Sequence, residues 1–374
     1  MEDIYMYSAF WDNRSTNASF VRVIGAASDI ERKVNILKCL LKFDKNERTY
    51  HEVPVSFDII IEHHNKLFKV VYLKCIPELE LAPRFVSIVP HAQNITTNGI
   101  KWIQVHAIKS EIKAKRIGLC VRPMFNYTDV FRITEFIAYY EALGVDHFAF
   151  YNYDSSTDIQ KMINLAQKNN YSIDWLPWNL PIRHSKIWAL GQLGSINDCF
   201  YRYMSVLSHI VVVDLDEFIT PRKVNNIQEL LASHDIPEKN TSSFVIRSTV
   251  FCSEYEKDTF EGYIPPFVTQ TSTRREKYVY PFLVRTKYIA KPHRVVVAGV
   301  HQVWEFLPGY EERFVPVSHA MVHHYRADLC VGERQQFLDA GVIDVMSRKY
   351  LSNLLKSKVF GLWEKTFSSR KLCS

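Results

Sequence analysis

The hydrophobic pattern changes rhythm along the chain. Up to about residue 113, apolar runs of strand length alternate with short polar breaks: DIYMYSAFW, SFVRVIGAA, VNILKCLLKF, VSFDIIIEH, FKVVYLKCI, RFVSIVP and IKWIQVHAI. The breaks carry turn residues such as Asp44-Lys45-Asn46 and Asn98-Gly99, so this region reads as β-rich. Near Lys115 strands begin to alternate with helices. RIGLCVRPMF reads as a strand. Val130, Ile133, Phe136, Ile137, Tyr140 and Leu143 then recur at three- and four-residue spacing, predicting a helix stopped by Gly144. DHFAFYNY is a second strand, and Ser155-Ser156 offer an N-cap to a helix over about Asp158 to Asn169. YSIDWLPW is a third strand, Lys186 to Met204 a further helix, and Ile210 to Val213 a short buried strand. Such alternation implies a parallel sheet with right-handed crossovers. Beyond Arg222 the alternation loosens. FVIRSTVFCS, the stretches between Arg274 and Trp304, and VPVSHAMVHHYR read as strands, Glu254 to Glu261 as a loop. From Gly332 a helical pattern returns with Phe337, Leu338, Val342, Tyr350, Leu354 and Leu355. The expected architecture is α/β. A mixed sheet flanked by helices occupies residues 114–330, a small β-rich domain precedes it over 1–113, and a helical segment follows over 331–374.

The run Ile210 to Val213 leads into Asp214-Leu215-Asp216. In extended chain, residues i and i+2 point the same way. Both carboxylates would then lie together past the carboxyl end of the strand, where open α/β sheets hold ligands. Adjacent carboxylates repel unless a cation lies between them and a ligand, which points to a divalent metal; a solvated acidic loop is the bland alternative. Two enzyme classes end an apolar strand on Asp-x-Asp. Phosphatases of the haloacid dehalogenase type put that strand first in the domain and want Thr or Val where this chain has Phe218. Nucleotide-sugar glycosyltransferases put it in mid-domain, as here. A non-catalytic glycan-binding protein is a third reading.

At 374 residues and 47% apolar composition, the chain can bury a sizeable core. Its 46 basic and 40 acidic residues give a formal charge of +6 with no long basic run, so a nucleic-acid surface is not indicated. The sequence holds neither an apolar run of ~18 residues nor a signal-peptide pattern. It nevertheless carries Asn-x-Ser/Thr sequons at Asn13, Asn17, Asn94, Asn126, Asn170 and Asn240. Sequons are used in the secretory lumen, so the expectation is a secretory protein whose membrane anchor is not in this sequence. Seven cysteines without CxxC spacing argue against zinc-ribbon and thioredoxin readings, and the odd count leaves one thiol free or in an intermolecular bond.

Five fragments occur in order over about 320 residues: IYMYSAFWDNR with VRVIGAA, CVRPMF with TEFIAYYEALGVDHFAFYN, GQLGSINDCFYRY with VVVDLDEFITPR, KYIAKPHRVVVAGVHQV, and HHYR. Together they make the chain resemble glycosyltransferase family 92. The resemblance implies a GT-A-type, Rossmann-like fold and a type II membrane protein of the Golgi or another secretory compartment. It implies an inverting transferase that uses Mn2+ to move galactose from UDP-galactose, its UDP-sugar donor, onto a glycan or glycoprotein acceptor. On this basis Asp214 and Asp216 hold the metal and the donor, the metal acting as a Lewis acid toward the UDP leaving group. His324 is the candidate third metal ligand from a late strand, with His323 turned to the other face. Arg122 follows a strand and is shaped to meet a diphosphate. Glu135, Asp198 and His301 are further candidate donor contacts, a solvated helix face being the alternative for Glu135 and packing that for Asp198. The catalytic base is sought at Glu254 and Asp258, in the loop expected to cover the site. Glu256 is also available there, whereas Glu217 lies too near the metal pair. Lys287, Lys291 and Arg294 either meet donor phosphates or form a solvated charged face.

Overall fold

The computed structural model describes residues 4–14, 19–44, 49–77, 81–91, 100–109, 115–235, 240–252, 255–260, 265–326 and 341–368. The first seven strands are β1 (Ile4–Asp12), β2 (Phe20–Ser28), β3 (Leu37–Lys42), β4 (His51–Ile59), β5 (Phe68–Cys75), β6 (Phe85–Pro90) and β7 (Ile103–Ala107). They close into a barrel in the order β1-β2-β5-β4-β3-β6-β7. Neighbours are antiparallel except at the closure, where β1 and β7 run parallel. The near-continuous apolar runs of β2 and β5 arise because both of their faces are buried. Val21, Val23, Val71 and Leu73 fill the barrel, while Ile24, Ala26, Val70 and Tyr72 pack outward against the rest of the chain. A Cys39–Cys75 disulfide, Cα atoms 6.0 Å apart, staples β3 to β5.

The remaining strands are β8 (Ile117–Met124), β9 (His147–Asn152), β10 (Ile173–Pro177), β11 (His209–Val212), β12 (Glu217–Pro221), β13 (Thr241–Ile246), β14 (Ser248–Phe251), β15 (Arg274–Arg275), β16 (Lys287–Ala290), β17 (Val295–Ala298), β18 (Val303–Phe306), β19 (Glu311–Phe314), β20 (Ala320–Tyr325) and β21 (Val342–Ile343). Seven form one mixed sheet, β10-β9-β8-β11-β16-β13-β19. It is parallel from β10 to β11 and turns antiparallel where β16 enters. A smaller sheet, β12-β20-β14, stands beside it. The expected helix is present as Val130–Ala142, N-capped by Asp129, and Gly144 follows it at φ 86°. Its buried stripe of Ile133, Phe136, Ile137 and Tyr140 covers Leu119, Val121, Phe148 and Phe150 on one sheet face. The opposite face, with Cys120, Ala149, Tyr151, Ile210 and Val212, packs against the helix Gln192–Tyr203 and the outward face of the barrel. A Cys120–Cys199 disulfide joins β8 to that helix. Among the described residues, no helix is long and apolar enough to cross a membrane.

Four expectations change. The helix expected from Lys186 begins only at Gln192, because Ala189, Leu190 and Gly191 adopt φ of 41°, 61° and 76°, which right-handed helix forbids. FVIRSTVFCS is two strands that pass from the large sheet into the small one at Arg247. Asp214-Leu215-Asp216 is not extended: β11 stops at Val212 and β12 starts at Glu217, so both acids occupy the intervening turn. Val342, expected in the C-terminal helical pattern, instead belongs to β21 and pairs with Arg275 of β15, while Phe337 and Leu338 lie outside the described residues and Leu351–Lys356 and Lys358–Phe367 are helical.

Barrel and sheet are joined by a buried polar seam. Asp12, at the end of β1, accepts Arg14 Nε and Nη2 at 2.9 Å each, and Arg22 Nη2 at 3.2 Å. Arg14 also donates to the Tyr201 hydroxyl (2.9 Å) and to the carbonyls of His293 (3.1 Å) and Val295 (2.7 Å). The Tyr72 hydroxyl lies 2.5 Å from Asn197 Oδ1, and Asn197 Nδ2 donates to Ala298 O at 2.8 Å. Burial pushes the Asp12 carboxyl up, but the Arg14 and Arg22 guanidiniums outweigh it and lower its pKa to about 2 from 3.8. A folded-state pKa below the unfolded one stabilises above pH 3.8, and that contribution is lost as pH falls from there toward 2. Asp12→Asn should therefore cost about 2 kcal/mol at pH 6, a gap that closes as pH drops below 4, measured by urea unfolding.

Candidate active site

The turn after β11 gathers the charged groups. Because β16 pairs antiparallel with β11, Val212 opposite Tyr288, Lys287 is carried to the end of β11 beside Asp214. Its side chain is 1% exposed, and its Nζ lies 3.1 Å from Asp214 Oδ2 and 3.0 Å from Glu217 Oε2. Glu217 Oε2 also accepts the Asp214 backbone N–H at 2.8 Å. Asp214 Oδ1 meets Arg122 Nε at 2.8 Å. Burial alone would neutralise this cluster. It lowers the ammonium's pKa, but Asp214 and Glu217 outweigh it, and the Lys287 pKa is raised. Burial likewise raises Asp214, yet Lys287 and Arg122 hold its carboxyl well below the usual range.

Asp216 points elsewhere and is 35% exposed, its Oδ2 3.3 Å from His324 Nε2. His324 sits opposite Glu217 in the β12–β20 ladder, which brings its Nδ1 to 3.6 Å from Glu217 Oε1. That Nδ1 is buried without a hydrogen-bond partner among the described residues. His323 faces the other way, against Phe251 and 4.0 Å from Asp344, and burial pushes its pKa down to about 3. Beside the turn opens a cavity of about 550 Å³ lined in part by Arg122, Phe125, Tyr127, Leu190, Asp214 and Asp216. Among the described residues no three His, Cys, Asp or Glu side chains form a ready metal cage. Asp216 and His324 supply two donor atoms of the kinds manganese accepts, and Glu217 Oε1 lies 3.6 Å from His324 Nδ1, on the side from which a ligating imidazole is oriented, without closing a hydrogen bond to it.

The other candidates are dispersed. Glu135 is fully buried. Its Oε1 accepts the Thr269 N–H and hydroxyl at 2.8 Å, and its Oε2 accepts the Val268 N–H at 3.0 Å and lies 3.4 Å from Arg132 Nη1. It is an anchor for the segment at 268–271 rather than a donor contact. Asp198 faces away from the turn, holding Arg202 through two bonds of 2.9 Å and the Tyr151 hydroxyl at 2.5 Å. Its neighbour on the helix, Gly194, gives room to Trp178, not to a substrate. Asp258 is held by Thr273 and Arg348, and Glu254 lies outside the described residues. His301 binds the Thr286 carbonyl through Nδ1 at 3.1 Å, and burial, with Lys287 nearby, pushes its pKa down to about 4. Lys291 pairs with Asp235, and Arg294 donates to Thr241 O, so neither reaches the turn. Lys287 is the residue that sequence reasoning undervalued: its single charge within the apolar strand KYIA was the available signal.

A sequence model of Glycosyltransferase family 92 matches residues 115–358. The chain belongs to glycosyltransferase family 92. It is 23% identical over 222 residues to the beta-1,4-galactosyltransferase galt-1 of Caenorhabditis elegans, covering 56% of this chain and 48% of that protein. It is 24% identical over 241 residues to a family 92 protein of Ricinus communis, covering 60% and 38%. The match thus spans less than half the length of either relative. Among solved structures, GalNAc-T7 with UDP, GalNAc and Mn2+ aligns over 75% of this chain and 60% of its own, with 9% identity and a TM-score of 0.33. Family 92 membership favours a transferase over the phosphatase reading.

Two outcomes test these assignments. Lys287→Met removes the ammonium from two buried carboxylates, leaving Asp214 to Arg122 alone and Glu217 without its ion-pair partner, and should cost about 3–5 kcal/mol in urea unfolding. Glu135→Gln should cost about 1–3 kcal/mol through its lost acceptors while leaving nucleotide affinity, measured by calorimetry, unchanged.

Proposed function

We propose that this family 92 chain is an inverting, metal-dependent glycosyltransferase that moves galactose from UDP-galactose onto a glycan or glycoprotein acceptor. The observation that carries this reading is the convergence of Asp216, Asp214 and Arg122 at the wall of one cavity, with His324 Nε2 behind it 3.3 Å from Asp216 Oδ2. About 550 Å³ suits a nucleotide-sized ligand. Asp216 and His324 would hold manganese, leaving its other positions to donor phosphate oxygens, as a metal with few protein ligands requires. Bound there, the metal supplies charge neutralisation to the departing diphosphate. Arg122, 40% exposed, forks toward phosphate once donor binding competes for it. Lys287 keeps Asp214 ionised, so that Asp214 accepts hydrogen bonds from donor hydroxyls. Phe125 and Tyr127 offer aromatic faces to the base. Galactose is favoured by the name of the nematode relative.

The reading extends to the compartment, a Golgi or other secretory lumen. The described sequon asparagines Asn13, Asn126, Asn170 and Asn240 are all exposed, and two disulfides between described cysteines suit an oxidising environment.

Melting temperatures with UDP-galactose, UDP-glucose, UDP-N-acetylglucosamine, GDP-mannose and UDP, each with and without manganese, test the donor and the metal together. The expected shift requires manganese, is largest with UDP-galactose, and corresponds to ~2.7 kcal/mol at a hundred times Kd. It vanishes in Asp214→Ala/Asp216→Ala. Absence of a shift with every nucleotide would sink the proposal.

A further inference from the structure

The connection between β4 and β5, residues 60–67, carries the barrel to the edge of the candidate active site. Three of its residues, Glu62, His64 and Asn65, adopt left-handed φ of 69°, 48° and 53° without being glycine. The His64 ring stacks on Trp188 with centroids 3.9 Å apart. Lys66 Nζ donates to Ser185 O at 3.3 Å, and Phe68 bridges to Ile187. The partner segment is strained in the same way at Ala189 and Leu190, followed by Gly191, which takes its left-handed φ freely, and is pinned by Trp178 Nε1 donating to Leu190 O at 2.6 Å. Non-glycine residues held in this region persist only where surroundings enforce them, and they cluster at ligand sites. Here two such segments brace each other. One side of the 188–191 turn, Ala189 and Leu190, lines the donor cavity. The other side, Trp188 and Gly191, lines a small cavity with Ile60, Glu62 and Phe68.

Glu62 is the unspent acid of this region. Its Oε2 is buried and has no hydrogen-bond partner among the described residues. Its pKa is raised by burial, against the opposing charges of His64 and Lys287, and it is near enough to feel the ammonium that holds Asp214. The acids of the Asp214 turn, by contrast, are engaged: Asp214 and Glu217 by Lys287, Asp216 by His324. Trp188, 37% exposed, adds an aromatic surface next to this carboxylate. A carboxylate beside an aromatic ring is the chemistry that takes a sugar, hydroxyl to the acid and C–H face to the ring.

We propose that the barrel supplies the acceptor subsite: the acceptor sugar binds over Trp188 and His64, and Glu62 accepts the proton of its attacking hydroxyl. This rests on the transferase reading. In the step, the acceptor oxygen forms a bond to the anomeric carbon as the bond from that carbon to the phosphate oxygen breaks. The electron pair leaves with UDP, and the hydroxyl proton goes to Glu62 and then to solvent. The test uses the whole chain with UDP-galactose and manganese. Water, and p-nitrophenyl glycosides of galactose, glucose, N-acetylglucosamine and mannose, stand in for the acceptor. Glu62→Gln should lower turnover about 100-fold or more, the scale of a lost general base, with the nucleotide-dependent melting shift unchanged. Glu62→Asp, which keeps the charge, should retain an intermediate rate and serves if the amide variant does not fold. Azide, a nucleophile with no proton to lose, should restore turnover in Glu62→Gln. Wild-type turnover in Glu62→Gln, or no response to azide, overturns the subsite while leaving the donor reading intact. A wild-type protein that neither binds nor turns over UDP-galactose removes the transferase reading, and this one with it.

Discussion

A single ammonium, that of Lys287, is what lets the charged turn exist. Two carboxylates that share a buried site cannot both stay ionised unaided, since desolvation and mutual repulsion both favour protonation. Lys287 lies between Asp214 and Glu217; with Arg122 it holds Asp214 ionised, while burial outweighs it at Glu217, whose pKa stays raised. This demand reaches back into the topology. A sheet that stayed parallel past β11 would lead with the wrong end of its next strand. The antiparallel entry of β16 brings the start of that strand to the finish of β11, and so brings Lys287 to Asp214. With Asp214 and Glu217 engaged, Asp216 is left half-open to solvent and to His324. The division of labour between the two aspartates is thus set by a residue 73 positions away.

The second constraint is the covering of the sheet. One face is closed by helices in the usual manner of α/β proteins, the other by the helix Gln192–Tyr203 and the barrel. Tyr72, Ile24 and Val70 of the barrel share a core with Tyr151, Ile210 and Val212 of the sheet. The barrel therefore completes the burial of the strands that carry the charged turn, and its β4–β5 connection bears on the turn that walls the cavity.

Much of this was legible in the residues. The spacing from Val130 to Leu143, the cap at Ser156 and the stop at Gly144 all state local preferences, and the helices formed there. Asp-x-Asp after an apolar strand marked the turn. What periodicity could not do was orient polar groups on helices buried all round. In Val130–Ala142 every residue from Ile133 to Tyr140 is buried, so the pattern holds no solvent face from which to deduce where Glu135 points. Asp198 failed for the same reason. Nor does a four-residue strand announce its end, which is why Asp214 and Asp216 were expected on one side of an extended chain. Glu62 has no local signature. Its position follows from the barrel seating on the sheet, a contact between residues more than a hundred positions apart.

The order in which the chain is made adds a consequence. The barrel is complete at Ala107, before β8 begins at Ile117. Its outward apolar face, however, is covered by a helix that ends at Tyr203. The 96 residues from Ile108 to Tyr203 take roughly 5–20 s to synthesise. For that interval a closed barrel stands at the ribosome with Ile24, Ala26, Val70 and Tyr72 facing solvent, a template on which the later sheet settles and a surface that chaperones would meet first.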